Sequence, residues 1–185
     1  MITLAILIVI GVGLGFYVIN LYNQLVRGRN EVKSAWSSID VQLKRRYDLI
    51  PNLMETVKGY AGHERQTFEA VTKARQQAIS FTGGVEERAK VENILSQTLR
   101  SLFALAEAYP DLKANQNFLA LQEELTTTEN KIGFARQYYN DVAMHYKNRV
   151  EIFPGNLIAS LFGFQTEPFF QLDEGGERVA PQVKF

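Results

Sequence analysis

The sequence predicts an all-α protein in which one N-terminal transmembrane helix continues into an antiparallel bundle of three to four long, coiled-coil-like helices. Three observations carry that expectation. Residues 2–21 are almost wholly apolar. Long stretches after them repeat large apolar residues at steps of three and four, the spacing of one helix face. Short breaks bearing Gly or Pro separate those stretches.

The apolar start comes first. Residues 2–19 contain no charged residue, His, Pro or Cys. A bilayer core takes about 20 mostly apolar residues in a helix, and in lipid the backbone must bond within the segment. A secretory signal would show a basic start, a shorter apolar run and a small-residue cleavage site. Here only the terminal amine precedes the run, and Asn20-Leu21-Tyr22-Asn23-Gln24 follows it. A buried core helix would be shorter and carry a polar face. The segment is therefore read as an uncleaved anchor. Arg27, Arg29 and Lys33, then Lys44, Arg45 and Arg46, follow the span. Basic residues beside a span stay on the cytoplasmic side, so the N-terminus is expected outside and the C-terminal domain in the cytoplasm. Gly11 and Gly15 form a G-x-x-x-G, a face on which a second helix can approach closely. The plainer reading is that Gly is simply common in membrane helices.

The whole chain has 185 residues, 46% hydrophobic and 22% charged, with Lys+Arg and Asp+Glu both 20. Without anchor and tail, roughly 130 residues remain, ordinary for one domain. A net charge of zero argues against general binding of nucleic acid, which needs a basic surface. With no Cys there are no disulfides, thiolate metal sites or cysteine nucleophiles.

Three divisions follow: an anchor at 1–21, a bundle at 22–153 and an aromatic-rich segment at 154–185. A first helix is expected over about 22–80, its stripe running through Leu25, Val32, Trp36, Ile39, Leu43, Tyr47, Ile50, Leu53, Val57 and Tyr60. Unbroken, it would be a rod of roughly 90 Å, with Gly28 as its weakest point. Pro51 removes a backbone donor and meets the Tyr47 carbonyl, so a kink is expected there. Gly59 and Gly62 weaken the helix again. A division at Pro51 or at Gly59–Gly62 would raise the count to four helices. Thr82-Gly83-Gly84 reads as a turn. A second helix follows over 85–108, with Val91, Ile94 or Leu95, Leu99, Leu102 and Ala106 on its stripe, ending at Tyr109-Pro110-Asp111. After a connector, Asn115 or Asn117 can cap a third helix over 115–153. That helix has the most regular stripe, from Phe118 through Leu125, Ile132, Tyr139 and Tyr146 to Phe153. After Pro154, NLIASLFGF can form one or two helical turns, and residues 173–185 read as extended. Phe162, Phe164, Phe169, Phe170 and Leu172 are costly to leave in water. They cap the bundle, dock on a neighbouring subunit or enter the membrane interface.

Chemistry is sparse. A carboxylate-bridged metal pair needs Glu-x-x-His on two helices. His63 and His145 are the only histidines, with Tyr60 and Val142 three residues before them. No H-E-x-x-H, P-loop or G-x-S-x-G occurs. The densest polar cluster runs from Asp40 to Asp48, with Asp40–Lys44 and Lys44–Asp48 four apart. It is a solvated helix face or a docking face for anionic lipid or a partner. That face comprises Asp40, Lys44, Arg45, Arg46 and Asp48, joined by His63 and Glu64. Trp36 is a packing residue. For an enzyme, Arg46, Asp48, Asn52 and His63 would have to converge at Pro51.

The residues also carry a resemblance. Ala35-Trp36-Ser37, residues 39–46, Asp48-Leu49-Ile50-Pro51-Asn52-Leu53 and Val57-Lys58-Gly59-Tyr60-Ala61 belong to it, as do residues 108–115, Glu129-Asn130, Tyr139-Asn140, Phe153-Pro154, Ala180-Pro181 and Phe185. Together they resemble the LemA family over almost the whole chain. The resemblance implies a bacterial protein with one N-terminal membrane helix, a short outside N-terminus and an antiparallel helical bundle. Some members are associated with a membrane zinc metalloprotease or with small domains encoded nearby. It supplies no catalytic residues.

The expectation is a non-catalytic, cofactor-free scaffold at the bacterial inner membrane. Its partners are the lipid bilayer and copies of itself, and nucleic acid is not among them. The alternative is a tethered adaptor for an envelope partner such as a membrane protease.

Overall fold

A computed structural model describes residues 1–170. The expectations for Leu172, the extended run at 173–185, and the matches at Ala180-Pro181 and Phe185 lie outside those residues. The described chain is all-helical, without a strand. Its helices are α1 (Ile2–Lys58), α2 (Arg65–Ser80), α3 (Val85–Ala106), α4 (Pro110–Lys113), α5 (Gln116–Glu151) and α6 (Gly155–Phe162).

The 22–80 helix of the sequence reading is in fact two helices. α1 begins at Ile2, passes through Pro51 and ends at Lys58, and α2 starts only at Arg65. Gly59 and Gly62 fall in the intervening turn, where the low helix propensity of glycine removes the reason to continue. Pro51 does not end α1. It removes the donor that would serve the Tyr47 carbonyl, and Arg75 Nε of α2 donates to that oxygen instead at 2.8 Å. The stretch 111–117 is not a plain connector, because Pro110 opens the one-turn helix α4, a position where its missing N–H is no loss.

The other boundaries have local causes. Arg88 Nη1 donates to the Phe81 carbonyl at 3.1 Å, just past the end of α2. A Cβ at Gly83 would meet the Phe81 ring, which would have to turn aside to admit it. Glu86 and Glu87 lie in the first turn of α3, where they complement the helix dipole. Of the two candidate caps for α5, Asn115 does the capping: its Oδ1 accepts from the Phe118 N–H at 3.1 Å. Gly163 closes α6 at φ +69, the left-handed conformation typical just past a helix end.

The chain divides into two compact units. The first combines Met1–Val41 with Ile132–Phe169. Leu25, Val32, Ala35 and Ile39 of α1 are buried there, as are Ile132, Tyr139, Val142, Ala143 and Tyr146 of α5. Trp36 meets the Tyr139 ring edge-on at 5.5 Å. Arg149 Nη1 donates to the Gln24 carbonyl at 3.4 Å. Gly28 is not a weak point: it is buried, and a Cβ there would lie 3.0 Å from both Tyr146 and Arg149. The second unit is centred on Gln42–Lys131. Its core holds Leu43, Ile50, Leu53 and Val57 of α1, Phe68 and Val71 of α2, Leu95, Leu99 and Leu102 of α3, and Phe118 and Leu125 of α5. The stripes of the sequence reading are buried along most of their length. At their ends Tyr60 and Phe153 lie exposed.

Candidate functional site

The most concentrated polar chemistry lies in the second unit, on one helical seam. Positions 43, 46, 50, 53 and 57 alternate steps of three and four, and every one of them is buried. Four are apolar and the fifth is Arg46, at 0% exposure. Desolvating a guanidinium is costly unless its donors are matched, and here both terminal nitrogens are, while Nε finds no acceptor among the described residues. Arg46 Nη1 donates to Glu129 Oε1 at 2.7 Å and to Ser96 Oγ at 2.9 Å. Arg46 Nη2 pairs with Glu92 Oε2.

Glu92 is itself at 0% exposure. It lies on the buried stripe of α3 with Leu95, Leu99, Leu102 and Ala106. Its other oxygen accepts from the Tyr47 hydroxyl, and Arg88 Nε lies 3.3 Å from it. Two arginines and two glutamates balance in charge. Burial, followed by the charge and hydrogen bond of Glu92, pushes the Tyr47 phenol well above its usual range. The tyrosine therefore stays a neutral donor at physiological pH. A saturated carboxylate and a locked phenol make a poor proton shuttle but a specific clamp. It joins side chains of α1, α3 and α5.

Arg46 therefore does not belong to the docking face expected from sequence. The seam required it to turn inward, since 43, 46 and 50 share one face. Asp40, Lys44, Arg45 and Asp48 of that face are exposed, and Arg45 pairs with Glu124 of α5. His63 is exposed and Glu64 half-buried in the turn before α2. Asp48, Asn52 and His63 do not join Arg46, so the convergence required of an enzyme at Pro51 does not form. Sequence reasoning missed Glu92, Glu129, Ser96, Arg88 and Arg75. For Glu92 a signal existed: it stands three before Leu95 and seven before Leu99, in phase with the stripe.

The first unit holds a second set of polar contacts. The Tyr139 hydroxyl donates to the Pro168 carbonyl at 2.9 Å. Burial and the nearby Glu167 carboxylate push its pKa up to about 12. Burial likewise raises that of Tyr146. Gly11, Gly13 and Gly15 lie on the exposed part of α1, with nothing near their missing side chains. That part of α1 is long and apolar enough to cross a membrane, and its most apolar window is wholly unburied. Among the described residues no cluster of three or more His, Asp or Glu is placed to hold a metal ion.

Comparison with known proteins agrees with the residues. The chain is 26% identical over 171 residues to protein LemA of Metamycoplasma hominis, covering 90% of this chain and 76% of that one. It is 22% identical over 189 residues to magnetosome protein MamQ 2 of Paramagnetospirillum magneticum, covering 88% and 70%. Magnetosome protein MamQ of Magnetospirillum gryphiswaldense is 20% identical, with the same coverage of 88% and 70%. The LemA family model matches residues 35–185, and the chain belongs to the LemA family.

Proposed function

We propose that this protein is a membrane-anchored scaffold: a single-pass inner-membrane protein whose antiparallel helical bundle self-assembles at the bilayer without catalysis. One observation carries the reading. The exposed apolar span and the buried seam belong to the same uninterrupted helix, α1. A cleaved leader would not continue into the core of the domain it delivers. Contacts between α1 and α5 run in opposite senses within each unit, which supports the antiparallel arrangement. In the first, Gln24 meets Arg149 and Trp36 meets Tyr139. In the second, Arg46 of α1 meets Glu129 of α5, and Tyr60 just past the end of α1 meets Asn115 just before the start of α5. Gly11 and Gly15 offer a face on which anchors can pack, and the basic residues after the span favour a cytoplasmic bundle.

The full chain, extracted in mild detergent, is expected to run as a defined oligomer by mass measurement. Gly11→Ile with Gly15→Ile should shift it toward monomer. A clean monomer with the anchor present contradicts self-assembly.

A second reading, a tethered adaptor for an envelope protein, is favoured by the exposed polar row Lys44, Arg45, Asp48 and His63. Crosslinkers placed on that row would capture one protein reproducibly if it holds. Capture of this chain alone would favour the scaffold.

A further inference from the structure

We propose that α6 and the turn before it form a second membrane contact, lying in the headgroup–acyl boundary beside the point where α1 leaves the bilayer. The inference rests on the reading of residues 2–21 as a membrane span. From Ile152 to Thr166 the sequence carries no charge. α6 turns Ile158 and Ala159 inward, and both are buried. The rest of the segment is open: Ile152 and Phe153 in the turn, Leu157 and Leu161 on α6 beside the uncharged Asn156 and Ser160, and Phe162 at its end are exposed, Leu161 at 75% and Phe153 at 74%. An open apolar patch of this kind marks a contact surface.

Its place in the fold names the occupant. At 1.5 Å per residue, residues 2–21 rise through about 30 Å, the thickness of a hydrocarbon core. Leu21 and Tyr22 therefore stand at the boundary. Tyr22 meets the Phe162 ring at 4.9 Å and the Phe164 ring at 5.6 Å. Leu21 and Leu25 line one recess together with Ile152 and Phe153. The patch is thus held at the depth where the anchor emerges.

The charges around it suit that depth. The Arg29 guanidinium lies 5.2 Å from the Phe164 ring centre and Lys147 Nζ 5.8 Å from that of Phe169. Aromatic rings with cations beside them are the usual furniture of a membrane–water interface. An apolar helix face settles there about 5–10 Å deep. A second copy of the chain could also cover an apolar face, but nothing would then require the patch to sit at the exit of the span.

The chain has no native Cys, so single thiols can be placed in the full-length protein and labelled with an environment-sensitive fluorophore. Phe153→Cys and Leu161→Cys probe the patch, Val12→Cys the span, and Leu119→Cys the exposed surface of α5. The protein is reconstituted in phosphatidylethanolamine–phosphatidylglycerol vesicles containing lipids spin-labelled near the headgroup end of the acyl chain. The expected result is roughly twofold quenching at 153 and 161, as for an interfacial helix, with Val12 also quenched and Leu119 unaffected. If Val12 is quenched while 153 and 161 behave like 119, the interfacial contact is overturned and the anchor stands. Protection of 161 from aqueous iodide without lipid quenching assigns the patch to a second copy and also overturns the proposal. If Val12 itself is not quenched, the span reading fails and the proposal falls with it.

Discussion

Along α1, residues 2–19 leave side chains such as Leu4 and Phe16 in the open, whereas the stretch from Leu25 to Val57 buries its apolar stripe and with it the charged Arg46. One helix thus carries two opposite solutions to burial. In the first part, apolar side chains stand without a partner in the chain, on a segment long and apolar enough to cross a membrane. In the second, a guanidinium is tolerated because Ser96, Glu92 and Glu129 take the place of water. The contrast teaches that the outward face of a helix is defined by its surroundings. A row of charges read from sequence, such as Lys44-Arg45-Arg46, can straddle both sides.

The largest effect expected from breaking this contrast lies at the buried end. Arg46→Met leaves Glu92 buried without its main counter-ion and should lower unfolding free energy by about 3–5 kcal/mol. Replacing Arg46, Glu92 and Glu129 together by Met, Leu and Leu should recover most of that loss. Urea unfolding followed by circular dichroism reads both, and equal losses in the single and triple variants would sink the clamp account.

A smaller effect separates the glycines of the same helix. Gly28→Ala pushes a methyl to 3.0 Å from Tyr146 and Arg149 and should destabilise by about 1–3 kcal/mol, as overpacking does. Gly15→Ala meets no atom of its own chain and should leave the thermal midpoint in monodisperse detergent unchanged. Equal effects at both sites would erase the distinction between a packed and an open half.

Next comes the proline. Arg75→Met should remove about 1 kcal/mol, because the Tyr47 carbonyl loses its donor. With Pro51→Ala in place, the new backbone N–H can serve that oxygen, so Arg75→Met should then be nearly neutral. A double-mutant cycle with no coupling would show that Arg75 is not the substitute donor.

The last effect is with pH, and it shows only in strongly alkaline solution. A tyrosine whose folded pKa is raised stays protonated in the native state while the unfolded chain ionises, so stability falls as pH rises. Tyr139, pushed up to about 12, should give a loss that begins near pH 10 and continues to about 12. Tyr139→Phe should reduce the slope in urea titrations across that window. An unchanged slope would remove Tyr139 as its source.

The helical class, the breaks at Gly59–Gly62 and Gly83-Gly84, and most stripe residues were legible because apolar periodicity and backbone breakers act locally. The clamp was less so. Arg46 stands in the seam by count, yet a charged residue is read outward by default, and only its meeting with Glu92 and Glu129 reverses that. Those partners lie 46 and 83 residues away in sequence, beyond the reach of any local pattern. Arg75 was hidden in the same way, as the consequence of a proline on another helix. Phe162 and Phe164 were visible as aromatics needing cover, but Tyr22 as their neighbour was not.

The anchored reading of α1 is tested most directly by scanning single Cys substitutions along it in the full-length protein reconstituted in vesicles, using a membrane-impermeant maleimide. Thiols at Ile6, Val12 and Phe16 should stay unreactive until detergent is added, while those at Arg27, Lys33 and Lys44 should react in at least one orientation of the vesicles. If Ile6, Val12 and Phe16 react as fast as Lys33, the exposed apolar half of α1 lies in water and the anchored scaffold is wrong.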